Sequence, residues 1–291
     1  MSRYALRIGG VTISVEGDET FDIADPTARF LVSPGSRDDV DIIVKRGRPQ
    51  IPRGELLFDS GGVWRLYRDG DRNVFTFSSP SFPSDPYKTA SFDDAFTRGE
   101  VTLSDDVPRG ADPLAYPLDE LLVASILGRG AGVELHGVGI VVDGRGMLFV
   151  GQSGAGKTTT ARLWINETSP TILSDDRIIV RRVNGAFRMF GTPWHGEAEI
   201  CSAEDVPLSG IYLLKQCSQT EVRSLDAAEA VARLFSCCFP LFYWPESIEI
   251  TLAFLATIAG ERIVHELAFR PDASAVHAIV RSGRQIATER S

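Results

Sequence analysis

The chain has 291 residues, of which 24% are charged and 43% hydrophobic, with a formal net charge of −9; this suits one large or two smaller globular domains and excludes a disordered or fibrous chain. An acidic balance without any basic block argues against nucleic acid and anionic membranes as main partners. No apolar run reaches the length of a membrane span, and the start MSRYALRIGG lacks the charged and apolar regions of a secretory signal, so a cytoplasmic protein is expected.

Up to about Pro113 the chain is a succession of short, often alternating segments such as YALRIGGVTISVEG, VDIIVKRG, GGVWRLYRDGDRNVFTFSS and GEVTLSDD, parted by Gly, Asp and Pro. These predict a β-rich domain over residues 1–112. Residues 68–73 read as a hairpin connection, and SSPSFPSDPYK, residues 78–88, holds too many prolines for a central strand and reads as a surface loop.

A second domain is expected over residues 113–291. PLDELLVASILGRG reads as an amphipathic helix stopped by Gly128 and Gly130, and VELHGVGIVVDGRGMLFVG as two strands joined by a turn over residues 143–146. The run MLFV is a buried strand leading into the glycine-rich stretch GQSGAGKTTTARLW, whose residues 159–165 open a helix. TILSDDRIIVRRV gives another strand, residues 226–236 a helix with Asp226 as a cap, residues 245–259 a further helix, IVHELAF a late strand and DASAVHAIVRSG a final helix. This half reads as α/β around a sheet. The four cysteines, Cys201, Cys217, Cys237 and Cys238, show no C-x-x-C spacing and read as buried structural thiols. His265 and His277 read as structural, and FPLFYWP, residues 239–245, as core or an interdomain plug.

The chemistry is concentrated in two places. Gly151, Gly156, Lys157 and Thr158 meet the pattern G-x-x-x-x-G-K-[ST]. Glycines let the backbone curl so that N–H groups of Gly151, Ser153, Gly154, Ala155, Gly156, Lys157, Thr158 and Thr159 can converge on the phosphates of ATP at a helix N-terminus. Lys157 adds a positive charge for the outer phosphates, and the Thr158 hydroxyl is expected to ligate Mg²⁺. Asp175 and Asp176 follow eighteen residues after Lys157 at the end of an apolar segment. One carboxylate there can hold Mg²⁺ and the other can take the proton of an attacking hydroxyl.

His136 followed after fifteen residues by Gly151, and then S-D-D-R-I-I-V, resembles the catalytic domain of HPr kinase/phosphorylase and its relatives over residues 118–183. The resemblance implies an α/β P-loop kinase domain of the HPr kinase/PEP carboxykinase type, preceded here by the β-rich domain. It implies ATP as donor, Asp175 as the general base toward a serine hydroxyl, Asp176 as a metal or positioning carboxylate and His136 as the neighbour of the base. By general P-loop logic the first acid would instead bind Mg²⁺, which leaves the division of roles open. The L-E-I-R-G core of that family is absent, and GTPWHGEAE, residues 191–199, stands in its place. Glu197 is then the substitute metal carboxylate, and His195 or Trp194 lines the acceptor pocket unless Trp194 is an aromatic plug. The segment is similar to one in HPr kinase-like proteins encoded beside peptide-modification genes. The expected function is an ATP- and Mg²⁺-dependent kinase acting on a hydroxyl, such as serine of a peptide, protein or small molecule. The alternative is an ATP-binding regulatory module without phosphotransfer. A homo-oligomer is compatible with the sequence.

Overall fold

The computed structural model describes residues 1–35 and 38–289. The chain divides into two units, Met1–Ile126 and Leu127–Ser291.

In the first unit, period-two patterning builds nine strands: β1 (Ser2–Ile8), β2 (Val11–Gly17), β3 (Leu31–Val32), β4 (Val40–Arg46), β5 (Glu55–Asp59), β6 (Trp64–Asp69), β7 (Arg72–Phe77), β8 (Lys88–Phe92) and β9 (Arg98–Leu103). They form one sheet in the order β3-β1-β2-β4-β9-β8-β7-β6-β5. On β4, Val40, Ile42 and Val44 are buried while Asp41, Ile43 and Lys45 face water, the alternation of a strand with one covered face. Asp69 pairs with Arg72 across a two-residue turn, where Gly70 adopts φ +62. The rings of Phe75, Phe92 and Phe96, all fully buried, pack with centroids 5.5 to 6.4 Å apart and fill the centre. Helix α1 (Leu118–Ile126) closes the unit.

A lysine lies inside this unit. Lys88 is 2% exposed, its Nζ donates to the carbonyls of Pro113 (3.4 Å) and Ala115 (3.3 Å), and it sits 4.5 Å from the centroid of Phe77. Burial pushes its ammonium down to about 8 against the opposing pull of Asp112 and Asp119. Nearby, Tyr4 donates to Asp112 at 3.1 Å, and burial raises the phenol well above its ordinary 10. Between about pH 8 and 10.5 the unfolded chain holds the Lys88 proton while the folded chain has released it, so this group makes stability rise with pH in that window. Above pH 10 Tyr4 works the other way, because the unfolded phenol ionises first. Urea unfolding between pH 7 and 10 is expected to show a gain of about 1 to 3 kcal/mol that Lys88→Met lacks; parallel curves for the two proteins would exclude this role.

The second unit starts with β10 (Val133–Val142) and β11 (Arg145–Val150), joined at Asp143 and Gly144, whose φ values of +51 and +72 suit a tight hairpin turn. Then come α2 (Lys157–Glu167), β12 (Thr171–Ser174), β13 (Arg177–Val183), β14 (Ala186–Phe190), β15 (Asp205–Gln216), β16 (Glu221–Ser224), α3 (Ala227–Phe235), α4 (Pro245–Gly260), β17 (Val264–Phe269) and α5 (Ser274–Glu289). Asp226 caps α3 by accepting the N–H of Glu229 at 2.9 Å. The strands run β11-β10-β13-β14-β15-β17-β16, and β11 also pairs with β15, so five of them close a circuit. Leu148 and Val150 point into one core with Leu234 and Leu255. Phe149 between them points into a second core with Trp164 and Ile279.

The expected α/β kinase fold of the HPr kinase/PEP carboxykinase type is overturned by this architecture. Strand makes up 38% and helix 22%, and the strands form two large sheets. Among the described strands of the second unit only β11–β15 and β15–β17 are parallel. An α/β sheet needs a helical crossover between successive parallel strands. Here the stretch from β12 to β15 contains no helix and folds back antiparallel, β13 on β14 and β14 on β15. The segment expected to be one strand over TILSDDRIIVRRV is two strands, separated at Asp175 and Asp176.

Candidate functional site

The glycine-rich loop follows from β11, whose residues Leu148, Phe149 and Val150 are fully buried and deliver the chain to Gly151. A Cβ at Gly151 would stand 2.6 Å from that of Ala155, and one at Gly156 would stand 2.7 Å from the ring of Phe269. Gly156, at φ +106, leads directly into α2. Within the loop the N–H of Ala155 is bonded to the carbonyl of Gln152. The N–H groups of Ser153, Gly154, Gly156, Lys157 and Thr158 have no hydrogen-bond acceptor among the described residues. Lys157 folds over the loop, donating from Nζ to the carbonyls of Gly151 (2.8 Å) and Gln152 (3.2 Å). Burial lowers its ammonium while Asp176 and Cys237 oppose the shift. Ser153, Thr158 and Thr159 are exposed, as an approaching anion requires.

The two aspartates occupy the bend between β12 and β13, where the Ser174 hydroxyl accepts the N–H groups of Asp176 (3.3 Å) and Arg177 (3.2 Å). They make different bonds. Asp175 accepts the N–H of Gly196 on Oδ1 (2.8 Å) and of Ala198 on Oδ2 (2.9 Å), pinning the segment 191–199. Asp176 has Oδ1 2.9 Å from His136 Nε2 and Oδ2 2.9 Å from Arg177 Nη1. Arg177 continues through Nε to Glu134 Oε1 at 3.1 Å and lies 3.9 Å from the centroid of the Phe239 ring. The hydrogen bond from His136 is the largest influence holding the Asp176 carboxyl below its usual range; burial opposes it, and Arg177 and Lys157 reinforce it. His136 is placed by β10, with its own N–H bonded to the carbonyl of Cys237 and the N–H of Gly137 to that of Asp176.

The loop forms one wall of a cavity of about 480 Å³, within the usual range for a small-molecule site. Its other walls include Leu214 and Gln216 at the end of β15 and Arg233, Ser236 and Cys237 at the end of α3. Gln216 Nε2 donates to the Gly154 carbonyl at 2.9 Å.

The structure thus brings together Lys157, Asp176 and His136. Asp175 adjoins them in sequence, with both oxygens engaged by segment 191–199. Glu197 is exposed on that segment, and the described residues contain no group of three or more His, Cys, Asp or Glu side chains placed to hold a metal ion. Trp194 is buried, and its main-chain carbonyl accepts the Ser174 hydroxyl at 3.4 Å. His195 Nδ1 sits 3.0 Å from the Gly196 carbonyl. Of the cysteines, Cys201 and Cys237 are buried, Cys238 is half-buried and Cys217 is exposed. In the FPLFYWP stretch Leu241 is buried but Phe242 is 67% exposed, so the stretch is only partly core. Sequence reasoning missed Glu134, Arg177, Gln216 and Arg233. The one available signal was the spacing of Glu134 and His136, two apart on a strand and therefore on one face.

A β-rich chain whose second unit couples a glycine loop to a carboxylate–histidine pair is the class that fold and site define. Residues 121–245 match the family described as SynChlorMet cassette protein ScmC, to which the chain is similar over that stretch. No curated protein matches the chain. The match overturns the resemblance to HPr kinase/phosphorylase, which rested on short local features: a glycine loop, a histidine at a fixed distance and an Asp-Asp-Arg run. Such features recur on unrelated folds. Among the described residues, no helix is long and apolar enough to cross a membrane.

Proposed function

We propose that the second unit binds the phosphate chain of ATP on the loop from Gly151 to Thr158 and transfers the terminal phosphate to a hydroxyl. The acceptor is a serine of a peptide or protein, or a small molecule with an equivalent group. One observation carries this reading: the N–H groups from Ser153 to Thr158, Ala155 excepted, have no acceptor among the described residues and stand beside the buried ammonium of Lys157 where α2 begins. Unpaired donors at a helix N-terminus, next to a cation, suit an anion with several oxygens.

The acceptor oxygen attacks the terminal phosphorus as the bond to the bridging oxygen breaks, leaving ADP, and the acceptor proton passes to Asp176, with His136 as its partner. Asp176 is suited to the task in position, because its carboxylate is fixed from two sides by His136 and Arg177. Asp175 holds segment 191–199 in place. Mg²⁺ is satisfied by few protein oxygens when phosphates and water supply the rest, so the Thr158 hydroxyl would hold it. When bound, it neutralises charge on the phosphate oxygens. Most of the acceleration comes from positioning and electrostatics. The supply of ATP and Mg²⁺ makes the cytoplasm the fitting compartment.

Both oxygens of Asp176 are already engaged, by His136 and Arg177, and this favours a second reading, a regulatory module that binds ATP without transferring phosphate. Incubation with γ-labelled ATP, Mg²⁺ and serine-containing peptides separates the two. Labelled peptide is the expected result. Bound nucleotide with neither labelled product nor ADP would favour the sensor, and no bound nucleotide would dismiss both.

A further inference from the structure

Arg233 stands on α3 and lines the same cavity as residues 151–155 of the loop, together with Gln216, Ser236 and Cys237. Its guanidinium is already oriented. Nη1 makes both of its hydrogen bonds, to Glu229 Oε1 (3.3 Å) and Glu266 Oε2 (2.6 Å). Nε and Nη2 have no hydrogen-bond partner among the described residues, and the side chain is 29% exposed. A planar guanidinium has five N–H donors, and the edge formed by Nε and one Nη matches two oxygens of a phosphate. Anchoring through the opposite nitrogen removes the cost of ordering a long side chain when a ligand arrives. Arg223 pairs with the same two carboxylates, so the two arginines and two glutamates balance in charge.

We infer that Arg233 is a second phosphate-binding group, gripping the terminal phosphate of a polyphosphate chain from the wall opposite the loop amides through Nε and Nη2. The inference rests on the proposed binding of ATP and makes it more specific: the site takes a polyphosphate held at two points, with the loop and Lys157 at one and Arg233 at the other. No contact assigned to the loop, to Asp176 or to His136 depends on it. Phosphate held this way cannot rotate freely, so Arg233 also orients the group being transferred.

The test uses the full chain and Mg²⁺ with inorganic tripolyphosphate as probe, measured by calorimetry. Wild-type protein is expected to bind it, Arg233→Gln to bind about tenfold more weakly and Arg233→Lys about fivefold more weakly, since lysine keeps the charge but loses the two-pronged edge. Equal affinity in wild type and Arg233→Gln would overturn the inference while leaving the ATP reading standing. Failure of the wild-type protein to bind either tripolyphosphate or Mg-ATP would overturn both. Should the glutamine variant not fold, the lysine variant decides alone, and wild-type affinity in it would refute the two-pronged contact.

Discussion

Replacing Lys157 by alanine is expected to weaken Mg-ATP binding by about a hundredfold and to abolish phosphate transfer. The ammonium is buried against the loop and bonded to the carbonyls of Gly151 and Gln152. In the proposed binding mode it is the cation that an arriving phosphate meets, and a charge-assisted contact in a poorly solvated place contributes about 1.5 to 3 kcal/mol. Alanine also removes the brace that holds the loop carbonyls together, so part of the loss reflects a loosened cradle. Titration with a fluorescent ATP analogue, beside a thermal melt to confirm folding, measures it. A folded variant that binds Mg-ATP as wild type does would remove Lys157 from the site and with it the phosphate reading of the loop.

Asp176→Asn is expected to reduce transfer by about a thousandfold while changing Mg-ATP affinity less than about fivefold, in line with losses seen when an acid–base group is removed. Asparagine keeps the shape and can still bond to Arg177, but it has no negative charge to set against His136 and Lys157 and cannot accept the acceptor proton. The neighbouring Asp175→Asn gives the contrast. Its carboxylate accepts two main-chain N–H groups, of which an amide oxygen retains one, so the expected outcome is a destabilisation of about 1 to 2 kcal/mol with partial activity. Single-turnover transfer measured beside urea unfolding distinguishes them. A larger loss of transfer in Asp175→Asn than in Asp176→Asn would return the proton-accepting role to Asp175.

The contrast between the two aspartates shows where sequence reasoning stops. Their adjacency suggested a division of labour, but which acid does what depends on their partners. Asp175 meets Gly196 and Ala198, twenty-one and twenty-three residues away in the chain, and Asp176 meets His136, forty residues away. The bend that separates them arises because β12 pairs with one half of β10 and β13 with the other, and neither pairing announces itself locally. Arg233 is a sharper case. On α3 it reads as one more charged residue on an amphipathic helix, and only the return of α3 beside the end of β15 makes it part of the cavity beside the glycine loop.

Local chemistry carried the rest. The turn at Asp143 and Gly144, the Asp226 cap and the sequence of strand, glycine loop and helix from β11 to α2 could be read from the chain, because each depends on residues within a few positions of one another. Tertiary structure decided the architecture: antiparallel returns from β12 to β15 and the closure of β11 on β15 replaced the expected α/β sheet. Torsional preferences and caps act over a turn or two of chain, whereas strand partners are chosen by burying apolar faces across distances at which the sequence pattern is the same for several pairings.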